Sequence, residues 1–357
     1  MPEAKNMALA ASVIDWCLAH GVREVVVCAG ARDLALVATC ADADGLRCWH
    51  FPEERSAGFF ALGRIRAGGA PVAVMVTSGT AVAELLPATI EAHYLGLPML
   101  LVTADRPVAS RGTGAPQAIV QPGIFGPHAV MLGDFDSPAA MHPAAWDKHG
   151  PGQLNICFDE PVLDGAPMHV SLPDGPARPA PPIPPPPAWD DFGHAGRLLV
   201  MVGTLAAAER APVARFLARL QAPVWLEATS NLWGEENLRP LWQPRLQAVL
   251  AAGPTHILRL GGVPCDRLWR DLEELPAIQV RSVSRQGWSG LARANRNHRA
   301  DLARLDDWLP APHPPWLGIA SDPHPPVAQP QSEKQWVAAL ASAIPTGATV
   351  FLGNSLP

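Results

Sequence analysis

Apolar residues in the first half of the chain follow two alternating rhythms. Over residues 4–19, 34–43, 58–66 and 81–93 they recur every three or four positions, the spacing of one helix face. Between those stretches lie short, mostly apolar runs: EVVVC at 24–28, RCWHF at 47–51 (with Arg47 and His50 polar), VAVMV at 72–76 and PMLLVT at 98–103. Such runs predict strands buried on both faces. Further strands are expected at 129–132 and 154–158. Strands that alternate with helices in this way build βαβ units, and βαβ units build a parallel sheet with helices on both sides.

The rhythm stops at PDGPARPAPPIPPPPAWDD, residues 173–191. Proline lacks the backbone N–H that a helix interior or a central strand needs, so this stretch predicts an extended, semi-rigid linker. A second α/β pattern follows, with strands expected at 198–202, 224–226, 256–260 and 278–280 and a helix at 205–220. Residues 310–330 form a second proline-rich link. A helix at 333–343 and a strand at 349–352 then lead to the final GNSLP. The expected fold class is α/β, with two doubly wound, mainly parallel-sheet domains and the start of a third. The expected domains are 1–172 and 192–309, joined by the 173–191 linker, and 331–357 after the 310–330 linker.

Composition narrows the function. The chain has 357 residues, 17% charged and 48% hydrophobic, with a net charge of −6 and no basic block. That argues against nucleic acid as a partner. No apolar run reaches the ~20 residues of a membrane span, and the N-terminal stretch mixes acids with its apolar residues, unlike a signal peptide. The six cysteines are scattered without metal spacing and sit mostly in apolar runs, which suits reduced thiols in a cytoplasmic protein. The twelve histidines show no ligand spacing, so no metal site is assigned.

Candidate chemistry gathers at four strand ends of the first domain: CAGARD (28–33), PEERSAG (52–58), VTSGTA (76–81) and TADRP (103–107). Open parallel sheets bind ligands at that edge. Gly30 and Gly79 allow tight turns and close backbone approach. Ser78 and Thr80 offer hydroxyls at a helix start, either as caps or toward a ligand. Arg32 and Arg106, with Gln117 of GTGAPQA, are either surface ion-pair residues or binders of carboxylates through bidentate guanidinium contacts. Glu53, Glu54 and Arg55 open a helix where Ser, Thr or Asn is usual. Their acids favour the helix dipole, or one of them points into a cleft. LRLGG (258–262) is a tight turn or a phosphate cradle.

Taken together, EERSAGFFALG, PVAVMVTSGTAVAELLPATIEA, LLVTADRP, GAPQAIVQPGIFG, NHRADLARLDDWL and VFLGNSLP resemble the thiamine-diphosphate-dependent enzymes. Within them the pattern is similar to the 2-succinyl-5-enolpyruvyl-6-hydroxy-3-cyclohexene-1-carboxylate synthase family of menaquinone biosynthesis. The resemblance implies a pyrimidine-binding first domain and a largely structural central one. It places on Glu54 the family's glutamate, which hydrogen-bonds the cofactor's aminopyrimidine. It places cofactor contact on Ser78, Gly79 and Thr80, and carboxylate contact on Arg32, Arg106 and Gln117. Glu53 would face solvent, and Arg55 would be structural. The implied reaction is decarboxylation of 2-oxoglutarate, with addition of the remaining unit to isochorismate.

The chain also departs from that family. Where a PGSRS pattern is usual it has Ala29, Gly30, Ala31, Arg32 and Asp33, which sets a negative charge beside the arginine. Pro116 replaces an asparagine, and Asp266 occupies what looks like a basic position. The Gly-Asp-Gly segment with its later asparagine, which in the family holds Mg²⁺ and the diphosphate, has no counterpart; GDFD at 133–136 is expected to precede a helix. The resemblance therefore implies a missing diphosphate-binding domain, supplied by a separate complementing chain, with a homodimer or higher oligomer and/or that chain as the expected partners. A non-catalytic binding relative and a truncated product are the alternative expectations.

Overall fold

The computed structural model describes residues 4–244, 246–318 and 331–350. They divide into two units. The first runs to Pro185 and takes in Ser284–Trp288 and Arg299–Asp301. Its elements follow the expected alternation: α1 (Lys5–Ala19), β1 (Glu24–Cys28), α2 (Leu34–Asp42), β2 (Arg47–His50), α3 (Glu54–Gly68), β3 (Val72–Val76), α4 (Thr80–Ala83), α5 (Leu86–Leu95), β4 (Met99–Asp105), β5 (Val130–Phe135) and β6 (Gly152–Cys157). The six strands form one sheet in the order β2-β1-β3-β4-β6-β5, and every pairing is parallel.

Strand periodicity explains both faces. Val25, Val27, Ala73, Met75, Leu100 and Val102 point to one side and pack with α1 and α2. Val26, Cys28, Val72, Val74, Val76, Met99 and Leu101 point to the other and pack with α3 and α5. Successive side chains of a strand face opposite ways, so an apolar run in a sheet covered on both faces serves two cores at once. Cys28, the last residue of β1, therefore lies on the face that α3 covers.

Three local readings are corrected. The helix expected over 81–93 is two helices, because Pro87 in the first turn of α5 has no N–H to offer the carbonyl one turn back. GDFD does not precede a helix; Gly133, Asp134 and Phe135 end strand β5, and a 3-10 turn follows at Pro138–Ala140. Strand β4 runs on to Asp105, and β6 begins at Gly152, two residues before the expected start.

The second unit contains β7 (Leu198–Val202), α6 (Ala207–Leu220), β8 (Val224–Leu226), α7 (Leu246–Ala251), β9 (His256–Leu260), α8 (Arg267–Asp271), α9 (Glu333–Ala343) and all but the last residue of β10 (Gln279–Ser284) and of β11 (Arg296–Arg299). Its sheet order is β11-β10-β9-β7-β8, with β10, β9, β7 and β8 in parallel. Asp266 has a local task here: its carboxylate caps α8 by accepting the Leu268 N–H at 2.8 Å. Residues 173–191 carry no helix or strand. Of the strand expected at 349–352, Thr349 and Val350 are irregular and the rest lies outside the described residues, as does GNSLP. Among the described residues no helix is long and apolar enough to cross a membrane.

Candidate active site

The chain leaves β1 first toward β2 and then returns to place β3 on the other side. That reversal puts a crevice at the carboxyl ends of β1 and β3, where ligands of open α/β sheets bind. CAGARD and TSGT meet there. A Cβ at Gly30 would lie 2.6 Å from the Thr77 Cβ, closer than real side chains approach, so only glycine fits. The Arg32 N–H donates to Thr77 Oγ1 at 3.4 Å.

Gly79 has φ +85°, and a Cβ on it would stand 3.2 Å from the Gln117 Cα. The exposed Gln117, itself at φ +55°, thus lies against the glycine turn. Ser78 is buried in that turn, and the exposed Thr80 starts α4.

The two glutamates after β2 divide their tasks. Glu53 caps α3, its Oε1 accepting the Arg55 N–H at 2.9 Å and its Oε2 the Ser56 N–H at 2.7 Å. Hydrogen bonds from the Ser56 side chain and backbone hold the Glu53 carboxyl below the usual range. Glu54 is the first helical residue and half-buried, and no described group hydrogen-bonds its carboxylate. Its charge reaches two neighbours. Burial, then the charges of Glu54, Glu53 and Asp33, push the Cys28 thiol up to about 12. Burial first, with Glu54 adding to it, pushes Asp33 up to about 6.

Arg32 and Arg106 differ more than the sequence suggests. Arg32 is buried, and its guanidinium donates to the Phe158 carbonyl at 3.0 Å and to Glu160 Oε1 at 2.7 Å. Two of its five donors are thereby committed to the segment after β6. Arg106 follows β4, and its backbone N–H donates to Asp105 Oδ1 at 2.8 Å. Its Nε is buried with no hydrogen-bond partner among the described residues. The structure thus joins Arg32 to Thr77 and Gln117 to Gly79; among the described residues no hydrogen bond joins the Arg106 guanidinium to Arg32 or Gln117.

Sequence reasoning passed over a polar network behind this edge, which runs from the buried Gln121, Asn155 and Asp105 out to the exposed Asp134. Gln121 Oε1 accepts the Gly79 N–H at 2.8 Å, while its amide donates to the Ala104 carbonyl at 3.1 Å and to Asn155 Oδ1 at 2.9 Å. Asn155 donates to Asp105 at 3.0 Å and to Asp134 at 2.8 Å. Arg111 clamps the same two carboxylates, at 3.0 Å and 2.6 Å. Burial opposes the charge of Asp134, but Arg111 and Asn155 outweigh it and hold the carboxyl below the usual range. The available signal was polar residues at alternate positions, Gln153 and Asn155, in a strand otherwise apolar.

Residues 7–124 match the family model described as thiamine pyrophosphate enzyme, N-terminal TPP binding domain. A 2-succinyl-5-enolpyruvyl-6-hydroxy-3-cyclohexene-1-carboxylate synthase of Akkermansia muciniphila is 40% identical over 97% of this chain and 68% of its own. One of Bdellovibrio bacteriovorus is 38% identical over 99% of this chain and 70% of its own. The fold also matches a solved thiamine diphosphate-dependent 4-hydroxybenzoylformate decarboxylase of Rhodococcus jostii RHA1, with TM-score 0.63 and 15% identity over 90% of this chain and 66% of that one. The chain therefore spans about two thirds of the length of the proteins it matches. At that identity and coverage, it belongs to the 2-succinyl-5-enolpyruvyl-6-hydroxy-3-cyclohexene-1-carboxylate synthase family.

Proposed function

We propose that the first unit supplies the aminopyrimidine side of a thiamine-diphosphate site in a synthase that decarboxylates 2-oxoglutarate and transfers the remaining unit to isochorismate. The observation that carries this reading is the Glu54 carboxylate, half-buried after β2 with no hydrogen-bond partner among the described residues. The residues present suit the cofactor's pyrimidine half. They pair an uncommitted acid with a glycine turn whose backbone any added side chain would block. When bound, thiamine diphosphate supplies the nucleophilic carbon and the electron sink for loss of CO₂.

Glu54 would hold and return a proton at a carboxyl oxygen facing the ring, and the Ser78–Gly79–Thr80 turn would give the ring a close backbone wall. Arg106, whose guanidinium has no hydrogen-bond partner among the described residues, would take a substrate carboxylate, and Gln117 would add an amide beside Gly79. Arg32 would contribute its remaining donors. Among the described residues no group of three or more His, Cys, Asp or Glu could hold a metal ion. Mg²⁺ and the diphosphate would be held by residues outside those described.

The test is 2-oxoglutarate decarboxylation with thiamine diphosphate and Mg²⁺, measured for the chain alone and with a chain carrying the diphosphate segment. Activity that appears on complementation and vanishes in Glu54→Gln is expected. Unchanged turnover in Glu54→Gln would remove the assignment of this edge.

A further inference from the structure

The glycine turn after β3 is held from inside the domain by a side chain with no task in the site so far. The Gly79 N–H donates to Gln121 Oε1 at 2.8 Å. Gln121 is fully buried, and its amide nitrogen donates to the Ala104 carbonyl on β4 at 3.1 Å and to Asn155 Oδ1 on β6 at 2.9 Å. Its backbone is pinned as well. The Gln121 carbonyl accepts Gln153 Nε2 at 3.1 Å, and the Gly123 N–H donates to Gln153 Oε1 at 3.2 Å.

Chemistry dictates which way this amide faces. Both groups at Nε2 are acceptors. Turning the amide over would set its oxygen against those two oxygens and an N–H against the Gly79 N–H, losing three buried hydrogen bonds at once. Asn155 cannot turn to compensate. Its amide nitrogen faces the Asp105 and Asp134 carboxylates at 3.0 and 2.8 Å, which Arg111 pairs, and its Oδ1 also accepts Thr103 Oγ1 at 2.8 Å. The loop that carries Gln121 meets the turn a second time through Gln117, whose Cα a Cβ on Gly79 would approach to 3.2 Å.

We propose that Gln121 is a positioning residue for the ligand site: its side-chain oxygen holds the Gly79 backbone in one setting, and the Asn155–carboxylate chain behind it fixes that oxygen. The role needs an acceptor at Oε1, not only the volume of a glutamine. Without the acceptor, the buried Gly79 N–H would be stranded and the turn would open to other settings. A ligand would then have to select the competent setting, and its affinity would fall in proportion to that setting's population. This role rests on reading the Ser78–Gly79–Thr80 turn as the cofactor's backbone wall; the hydrogen bond itself does not.

The experiment follows amide hydrogen exchange at Gly79 by mass spectrometry, on the full chain without cofactor. Gln121→Met keeps the length of the side chain but offers no oxygen. Exchange at Gly79 should rise roughly tenfold there, while the β1 and β3 amides keep their parent rates. Gln121→Glu keeps an oxygen for Gly79, and burial against two acceptors holds its carboxyl protonated, so that it also donates. Its exchange should stay within about threefold of the parent. Parent-like exchange in Gln121→Met, equal loosening in both variants, or a rise spread over the whole sheet each overturns the proposal. Should Gln121→Met fail to fold, a loosened Gly79 in folded Gln121→Glu overturns it. Thiamine diphosphate affinity, measured by calorimetry together with a chain carrying the diphosphate segment, separates the two readings. It should fall roughly tenfold in Gln121→Met and be retained in Gln121→Glu. No binding by the unsubstituted assembly defeats the proposed function, whereas binding that Gln121→Met leaves unchanged defeats this proposal alone.

Discussion

The two halves of one sheet edge treat their acids in opposite ways. At the ends of β4, β5 and β6, Asp105 and Asp134 share Arg111 and Asn155, and Gln121 ties that group to Gly79. At the ends of β1 and β2, Asp33 keeps one oxygen unmatched and Glu54 has no hydrogen-bond partner among the described residues. A fully satisfied polar network rigidifies, because moving any member strands the others in low dielectric. An acid left unsatisfied can instead meet a ligand or hold a proton. The locked side holds the glycine turn and the Arg106 backbone in place.

Exchanging one residue on each side should expose that division. Glu54→Gln is expected to lower turnover by at least about 100-fold, the scale of a lost proton-transfer group. Folding should change by no more than about 1 kcal/mol, because the side chain gives up only its favourable place at a helix N-terminus. Kinetics and urea unfolding of the same preparation check both halves. Arg111→Met should do the reverse. Asp105 is 1% exposed, and removing the cation from a buried pair costs about 3–5 kcal/mol. A loss below about 1 kcal/mol would show that Asn155 alone suffices and that the network is looser than its geometry. Arg106→Ala should be smaller and confined to the substrate, weakening 2-oxoglutarate binding by about 1.5–3 kcal/mol. A change in KM without a matching change in unfolding midpoint is the expected pattern.

The sequence made the unsatisfied side legible and hid the locked one, for a physical reason. Strands β1, β3 and β4 are buried on both faces and so read as apolar runs, and CAGARD, VTSGTA and TADRP each lie where such a run ends. Edge strands carry less of that signature: β11 is RNHR, and its pattern predicts nothing. The break between α4 and α5 turned on Pro87 alone. Glu53 and Glu54 could not be told apart by type, because either acid could cap α3; only the backbone geometry at Glu53 assigns it the cap. Gln121, Asn155, Asp105 and Asp134 come from four separate segments and meet only when β4, β5 and β6 align. No local spacing could have assembled them.

The smallest effect concerns Asp33, and its sign follows from its surroundings. Burial, with Glu54 behind it, raises the folded-state carboxyl to about 6, whereas in the unfolded chain an aspartate titrates near 4. The folded protein therefore holds a proton that the unfolded chain has released between those values. The associated stability is fully present below about pH 4 and is lost as pH rises through about 6. Asp33→Asn removes that dependence. It keeps an oxygen to accept the Gly30 N–H but places an amide where Oδ2 was, and the unmatched N–H offsets part of the gain. The variant should therefore be more stable than the parent by roughly 1–2 kcal/mol at pH 7.5 and no more stable at pH 4. Urea unfolding at the two pH values measures the difference directly. An advantage of the same size at both would mean that the aspartate is costly for its shape and not for its charge, and the contrast between the two sides of the edge would then rest on Glu54 alone.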